Sequence, residues 1–176
     1  MDIRQAPQEN ISQQQLERLV LHFVQKLRQE GVQDADAATY CTRLRPLLRA
    51  AQPQQTGAYI LKIEAVLPPQ DSALCAMILA DDAEALMRSG QNARALSVLK
   101  DACAMSARCR DRESMVDATL LLARCFSAVG DEESAARSAA LCVRAIQTHF
   151  DGVHPLLSRA QAYLHTGTSA WCDAQD

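Results

Sequence analysis

The chain has 176 residues and a formal net charge of −3, enough for one ordinary domain and too little for two full-sized ones. Slight acidity without a Lys/Arg cluster argues against a nucleic-acid partner. No apolar run reaches the roughly 18 residues of a membrane span, so no membrane partner is expected. Residues 1–15 contain no secretory signal, and we expect a cytoplasmic protein.

The composition favours an all-α protein. Hydrophobic residues make up 48% of the chain and aromatic residues 4%, and alanine, with 30 residues, is the most frequent hydrophobic residue. Alanine has the highest helix propensity and lets helices approach closely. Six glycines and six prolines are few for an all-β chain, which needs frequent turns.

In chain order, the first 72 residues predict an N-terminal helical hairpin with a short extra helix. Residues 1–10 are expected to be a flexible lead-in. Ser12 and Gln15 form a capping box for a first helix, which Gly31 would end. A second helix follows Asp34, and Pro46 should kink or end it.

The segment between that hairpin and the rest of the chain is less clear. Residues 51–57 are expected to form a loop, while residues 58–67 could form a buried helix or a strand. We favour a helix because no partner strand is evident. The run Pro68-Pro69-Gln70-Asp71-Ser72 is the clearest break in the chain.

Residues 73–170 predict four long helices and a capping helix. The four helices span about residues 73–89, 92–109, 112–129 and 132–150. A last helix begins near His154 and Pro155, runs to about His165 and stops at Gly167, with Trp171 as a possible cap beyond it. Because the connections are short, neighbouring helices should be antiparallel, and the two parts should form one continuous domain.

An internal repeat is the most informative pattern. Residues 78–90, 118–130 and 155–167 align without gaps, and each segment ends in glycine. An alanine lies seven residues before each glycine and a larger apolar residue four before it. These residues are Ala83, Ala123 and Ala160, and Leu86, Phe126 and Tyr163. Apolar residues also stand at the same three offsets after the first two glycines, at Ala95, Leu99 and Ala102 and at Ala135, Ala139 and Cys142.

This pattern resembles the tetratricopeptide repeat (TPR), with long spacings of 40 and 37 residues. The resemblance covers about residues 73–167 and lacks the usual Trp and the proline that closes each repeat. It implies antiparallel hairpins stacked as a right-handed superhelix. A plain antiparallel bundle is the alternative.

In such a stack, the first helix of each hairpin would line a groove for a partner. The predicted groove residues are Met77, Glu84, Met87, Arg88, Leu120, Arg124, Leu157 and Gln161. Their mixture of apolar and charged side chains suits an extended peptide or an amphipathic helix of another protein. For any one apolar member, burial in the core is an equally good interpretation.

The sequence predicts no catalytic, metal or cofactor site. None of the seven cysteines has Cys-x-x-Cys spacing, and each lies in an apolar helical pattern where a thiol is inert. His149, Asp151 and His154 could bind a metal, but a solvated turn is favoured. Asp81 and Asp82 are expected to be solvated, and Asp131 to cap a helix.

Three functional hypotheses follow. The first is a non-enzymatic protein-interaction module, such as a chaperone, adaptor or assembly factor. The second is a regulatory or scaffold subunit that forms a homodimer or joins a larger complex through the ends of its stack. The third is a small helical enzyme that uses a cysteine, for which the sequence offers no base in a recognisable motif.

Overall fold

The structure, a computed structural model, describes residues 12–30, 34–67 and 72–166, and every regular element in those ranges is helical. The all-α prediction is therefore confirmed. The helices are α1 (Gln13–Glu30), α2 (Asp34–Thr39), α3 (Arg45–Ala50), α4 (Pro53–Glu64), α5 (Ala73–Arg88), α6 (Asn92–Cys109), α7 (Arg112–Ala128), α8 (Glu132–His149) and α9 (Leu157–Thr166). The predictions for residues 1–10, Gly31, residues 68–71, Gly167 and Trp171 lie outside the described residues.

Helix α1 begins with the predicted capping box. The Ser12 backbone N–H donates to Gln15 Oε1 at 2.9 Å, and the Gln15 N–H donates to Ser12 Oγ at 3.3 Å. Two N–H groups that the helix cannot pair are thereby satisfied.

A π-helical turn at Tyr40–Leu44 separates α2 from α3. The Arg45 N–H donates to the Tyr40 carbonyl, a bond five residues back instead of four. Pro46, which has no N–H and lies in the first turn of α3, cannot continue the α-helical pattern. The π-helical turn thus interrupts the predicted second helix before Pro46, and α3 continues past Pro46 to Ala50.

The predicted loop at residues 51–57 is wrong, because α4 begins at Pro53. Proline is well suited to the first turn of a helix, where its missing N–H has no partner to lose. Thr56 fixes the turn before α4 by donating its hydroxyl to the Leu48 carbonyl at 2.7 Å. The ambiguous residues 58–67 are thus mostly the second half of a helix, as favoured.

Helices α5 to α8 form two pairs, α5 with α6 and α7 with α8, that pack on each other through α6 and α7 and through α5 and α7. Their bounds differ by no more than one residue from the predicted ones. Gly90 and Gly130 adopt φ of 78° and 82°, as predicted for the left-handed residue that ends a helix. Arg110 adopts φ of 56° at the corresponding place between α6 and α7.

The alanines of the internal repeat are buried where helices α5 to α9 contact one another. Ala83, Ala95, Leu99, Leu121 and Cys125 are buried together between α5, α6 and α7. A second small cluster joins Ala123, Ala135 and Ala139 to Tyr163 of α9. The predicted burial of these positions is confirmed, since each of these alanines is fully buried.

The N-terminal helices have a core of larger side chains. It contains Val20, Phe23, Tyr40, Leu48 and Ile60 among others. This core continues into the first turns of α5 through Leu74, Met77 and Ile78. Helices α1 to α4 are therefore packed against the first helix of the first pair.

Candidate functional site

One surface of α5 and α7 carries most of the predicted groove residues. We call it the inner face and define it by Met77, Asp81, Glu84 and Arg88 of α5 and Asp117, Leu120 and Arg124 of α7. Spacings of three and four residues place these side chains on one side of each helix. The Ser72 hydroxyl, which accepts from the Cys75 N–H at 3.1 Å, fixes the start of α5.

A helical segment of the same chain lies on the inner face. We call residues 40–50 the docked segment; it comprises the π-helical turn and α3. Arg45 bridges α5 and α7, with its Nε 2.9 Å from Asp81 Oδ1 and its Nη2 2.5 Å from Asp117 Oδ2. The predicted groove is thus partly filled in cis.

Arg49, one turn further along α3, contacts the same two helices. Its Nη2 lies 2.7 Å from Asp81 Oδ1 and 2.9 Å from Asp117 Oδ2. Its Nε donates to Asp81 Oδ1 at 2.8 Å and lies 3.0 Å from Glu84 Oε2. Because that N–H points at Asp81, the buried Glu84 Oε2 has a charge contact but no hydrogen bond among the described residues.

Asp81 is the centre of this network, with a side chain that is 0% exposed. The Tyr40 hydroxyl donates to Asp81 Oδ2 at 2.6 Å. Burial, and then the Asp81 carboxylate, raise the pKa of Tyr40 well above its usual value, which keeps this donor protonated. A fully buried carboxylate is costly unless it is paired and hydrogen-bonded, and here Tyr40, Arg45 and Arg49 supply the partners.

The charges of the docked arginines are fixed by the same carboxylates. Burial alone would lower the pKa of Arg45 and Arg49, but Asp81 and Asp117 outweigh it, and both pKa values are raised. Arg124 differs: burial, which Glu84 only partly offsets, lowers its pKa. Its Nη1 lies 3.7 Å from Glu84 Oε1, so Arg124 belongs to the inner face itself.

Arg88 contacts the other end of the docked segment. Its Nη1 donates to the Ala51 carbonyl at 2.7 Å, and its Nη2 lies 3.4 Å from the Leu48 carbonyl oxygen. These carbonyls belong to the C-terminal end of α3, where a helix leaves acceptors unpaired and carries partial negative charge. Of the eight predicted groove residues, Met77, Glu84 and Arg88 therefore contact the docked segment or the Ala51 carbonyl just beyond it. Arg124 lies near Glu84.

Two predicted groove residues are core residues in the structure. Met77 is 8% exposed and Leu120 is 4% exposed. The Cys41 thiol lies 3.1 Å from Met77 Sδ, and Leu120 packs with Val116, Cys142 and Ile146. The prediction that Met77 and Leu120 line a groove is therefore wrong. The docked segment covers Met77, and α8 covers Leu120.

The other apolar predictions are half-buried. Met87 packs beside the cluster between α5 and α6, and Leu157 packs beside Leu120. Gln161 lies half-buried on α9. The structure therefore brings Glu84 and Arg124 into the Asp81 network, places Arg88 against the end of α3, and leaves Leu157 and Gln161 on α9, beside α7 and α8.

Sequence reasoning missed Tyr40, Arg45, Arg49 and Asp81. The expected solvation of Asp81 is wrong, whereas its neighbour Asp82 is half-buried outside the network. The available signal was the pair Arg45 and Arg49 at a helical spacing of four residues, together with Asp81 and Glu84, three residues apart on α5. The predicted cap at Asp131 is confirmed, since its side chain accepts from the Ser134 N–H at 3.0 Å.

Apart from the inner face, the described residues form a cavity between α4, α5 and the start of α6. It has a volume of about 550 Å³, and Gly57, Ala58, Leu61, Asp82 and Arg94 are among its lining residues. The described residues contain no group of three potential metal ligands. Burial raises the pKa of Cys142 to about 12, which disfavours its thiolate.

Comparison with known proteins gives no relative: no protein-family model, curated protein or solved structure matches this chain. Among the described helices, none is both long enough and apolar enough to cross a bilayer.

Proposed function

We propose that this chain is a non-enzymatic protein-interaction module that binds a helical segment of a partner on its inner face. The observation that carries the proposal is the docked segment: the face already binds a helix through the Arg45 and Arg49 contacts to Asp81 and Asp117. By analogy with this contact, we expect a partner helix to pack across α5 and α7 beside the docked segment.

We also propose that the two helix pairs are TPR-like repeats in a superhelical stack. The support is local. The Gln91 N–H bonds the Leu86 carbonyl, and the Asp131 N–H bonds the Phe126 carbonyl, at 2.8 and 2.9 Å. The same six-to-one bond ends α6, where the Asp111 N–H bonds the Ser106 carbonyl at 3.0 Å. The support therefore lies in the equivalent residues, since Leu86 and Phe126 each stand four residues before a glycine with positive φ.

Within this proposal the partner approaches from the α9 end. Leu157 and Gln161 are half-buried there and the side chain of Arg124 is 17% exposed. A partner helix would lie on this surface, beside the docked segment. A chaperone, an adaptor and an assembly factor would all use the face in this way.

Site-specific photo-crosslinking in cells tests the proposal. A photoreactive amino acid at Gln161 or Met87 should capture one and the same polypeptide, because both positions border the inner face. The matched control is Leu141, which is exposed on α8 and should not capture it. Arg124→Glu should abolish capture from Gln161 while the far-UV circular dichroism stays unchanged.

Equal capture from Gln161 and Leu141, or capture that survives Arg124→Glu, would contradict the proposal. The alternative of a self-associating regulatory or scaffold subunit stays a prediction. Concentration-dependent sedimentation tests it, since a stable homodimer would favour that alternative.

A further inference from the structure

The cavity between α4, α5 and the start of α6 lies on a different side of α5 from the inner face. Asp82 lines the cavity, whereas its neighbour Asp81 is the centre of the inner-face network, and successive residues of a helix point about 100° apart. We infer that this cavity binds a small zwitterion with an apolar side chain, as found in an amino acid or a short peptide. This inference goes beyond the proposed function and does not rest on it.

The first argument is shape. The cavity has a volume of about 550 Å³, which is within the range of pockets that hold small ligands. Gly57 and Ala58 of α4 and Ala85 of α5 are among its lining residues. A Cβ added at Gly57 would meet no atom within 4 Å, so packing does not require this glycine, although glycine weakens a helix relative to alanine. The small residues therefore leave space for a ligand beside α4.

The second argument is the carboxylate of Asp82. It is half-buried, and within the described part of the chain it has no hydrogen bond and no ion pair. Burial raises the pKa of this carboxyl, and Arg94 only partly offsets the effect. Burial, and then the charge of Asp82, also raise the pKa of Glu64, so the group near it is a second acid and not a cation. An ammonium group of a ligand would supply the missing partner.

The third argument is the guanidinium of Arg94, which lines the same cavity. Its Nη1 donates to Gln91 Oε1 at 2.5 Å, and Gln91 Nε2 donates to Ser89 Oγ at 3.1 Å. These contacts hold Arg94 at the cavity without a carboxylate. Its other N–H groups make no hydrogen bond to the residues that the structure describes, and they are free to bind a carboxylate of a ligand.

The two charges thus face one cavity without forming an ion pair between them. A zwitterion pairs both, with its ammonium group on Asp82 and its carboxylate on Arg94, whereas a simple cation or anion pairs only one. Leu61, which is 67% exposed, and Leu86 line the same cavity. They offer apolar surface for a side chain of the ligand. An amino acid and a short peptide share this chemistry.

Leucine and two analogues test the inference on the full-length chain. Isocaproate lacks only the ammonium group of leucine, and isoamylamine lacks only its carboxylate. Leucyl-leucine is the fourth probe and distinguishes a short peptide from a free amino acid. Saturation-transfer NMR titrations at neutral pH measure the Kd of each probe. We expect at least one zwitterion to bind, and both analogues to bind at least about fivefold more weakly than it, because each lacks one charged contact.

Variants of the chain locate the site. Asp82→Asn should weaken binding of the zwitterion at least about fivefold, because it removes the charge that pairs with the ammonium group. Gly57→Leu fills the cavity with a better helix former, so it should abolish binding without lowering the thermal midpoint. The matched controls are Asp101→Asn and Ala136→Leu, which are exposed on α6 and α8 and should leave binding unchanged.

Three outcomes would overturn the inference. They are the failure of both leucine and leucyl-leucine to bind, equal binding of leucine and its two analogues, and binding that survives both Asp82→Asn and Gly57→Leu. Tighter binding of leucine than of leucyl-leucine would assign the cavity to a free amino acid, and the reverse order would assign it to a short peptide. None of these results changes the photo-crosslinking test of the inner face, since Asp82 and Gly57 lie outside that face.

Discussion

The N-terminal helices and the α5–α8 pairs are packed in opposite ways. Helices α1 to α4 enclose large side chains such as Phe23, Tyr40 and Leu48. The pairs instead meet through alanines such as Ala83 and Ala135, which are fully buried. Small contact residues let helices approach closely and repeat with the same geometry, whereas large ones produce a single, irregular fit.

The two regions are joined by charge as well as by apolar contact. Arg45 and Arg49 of the N-terminal region contact Asp81, which lies one turn from Met77 and Ile78, where the N-terminal core ends. The irregular region therefore depends on the regular one for its charge partners. The following predictions test this dependence and the difference in packing, in order of decreasing effect.

Asp81→Asn should lower the free energy of unfolding by about 3 kcal/mol, because it removes a charge from a buried ion pair. This is the low end of the usual range, since Arg45 and Arg49 keep Asp117 as a partner. Urea denaturation measures the effect. Asp82→Asn is the matched control and should change stability by a few tenths of a kcal/mol at most; equal losses for both variants would contradict the network.

Ala135→Leu should cost about 1 to 3 kcal/mol, because the added side chain has no room between α8 and its neighbours. Ala136→Leu, on the exposed side of the same turn, should be close to neutral. Thermal unfolding of the two variants measures the difference. If the leucine at position 135 left stability unchanged, the small size of Ala135 would not be needed for close packing of α8 on its neighbours.

Arg110→Gly should stabilise the protein by about 0.5 to 1 kcal/mol, because φ of 56° is strained for a residue with a Cβ. Gly90→Ala should have the opposite sign and destabilise by about 1 kcal/mol. No atom lies within 4 Å of an added Cβ at Gly90, so its cost would come from the backbone alone. Denaturation midpoints of both variants test the pair.

Glu64 and Asp82 should give a small pH dependence. Burial raises the pKa of both carboxyls, and the charge of Asp82 adds to the shift at Glu64. The unfolded chain then releases these protons first, so stability falls as pH rises above the ordinary values of about 4. Glu64→Gln/Asp82→Asn should make that fall shallower in urea titrations between these values and neutrality.

The pKa of Asp131 is shifted in the opposite direction from those of Glu64 and Asp82. Hydrogen bonds from Ser134 lower its pKa, so its contribution is present above the ordinary aspartate value and is lost as pH falls through the lowered one. Asp131→Asn should remove this acid-side loss and leave the slope due to Glu64 and Asp82 unchanged. A variant that changes both slopes would mean that the two sites are coupled.

The sequence predicted the regular region better than the irregular one for a physical reason. The bounds of α5 to α8 depend on local signals, such as Gly90, Gly130 and the cap at Asp131, which need no knowledge of distant contacts. The burial of Asp81 depends on residues far away in the chain. Arg45 is 36 residues from Asp81 and 72 from Asp117, and no local pattern encodes those contacts.

The π-helical turn has a geometric consequence for recognition at Asp81. In a regular α-helix, side chains five positions apart differ by about 140° in direction. The wider turn at Tyr40–Leu44 brings Tyr40 and Arg45 nearly into line, and both contact the same carboxylate. A regular α-helix would direct one of these two side chains away from Asp81. The extra residue in the turn thus lets one short segment give a buried carboxylate both a phenol and a guanidinium partner.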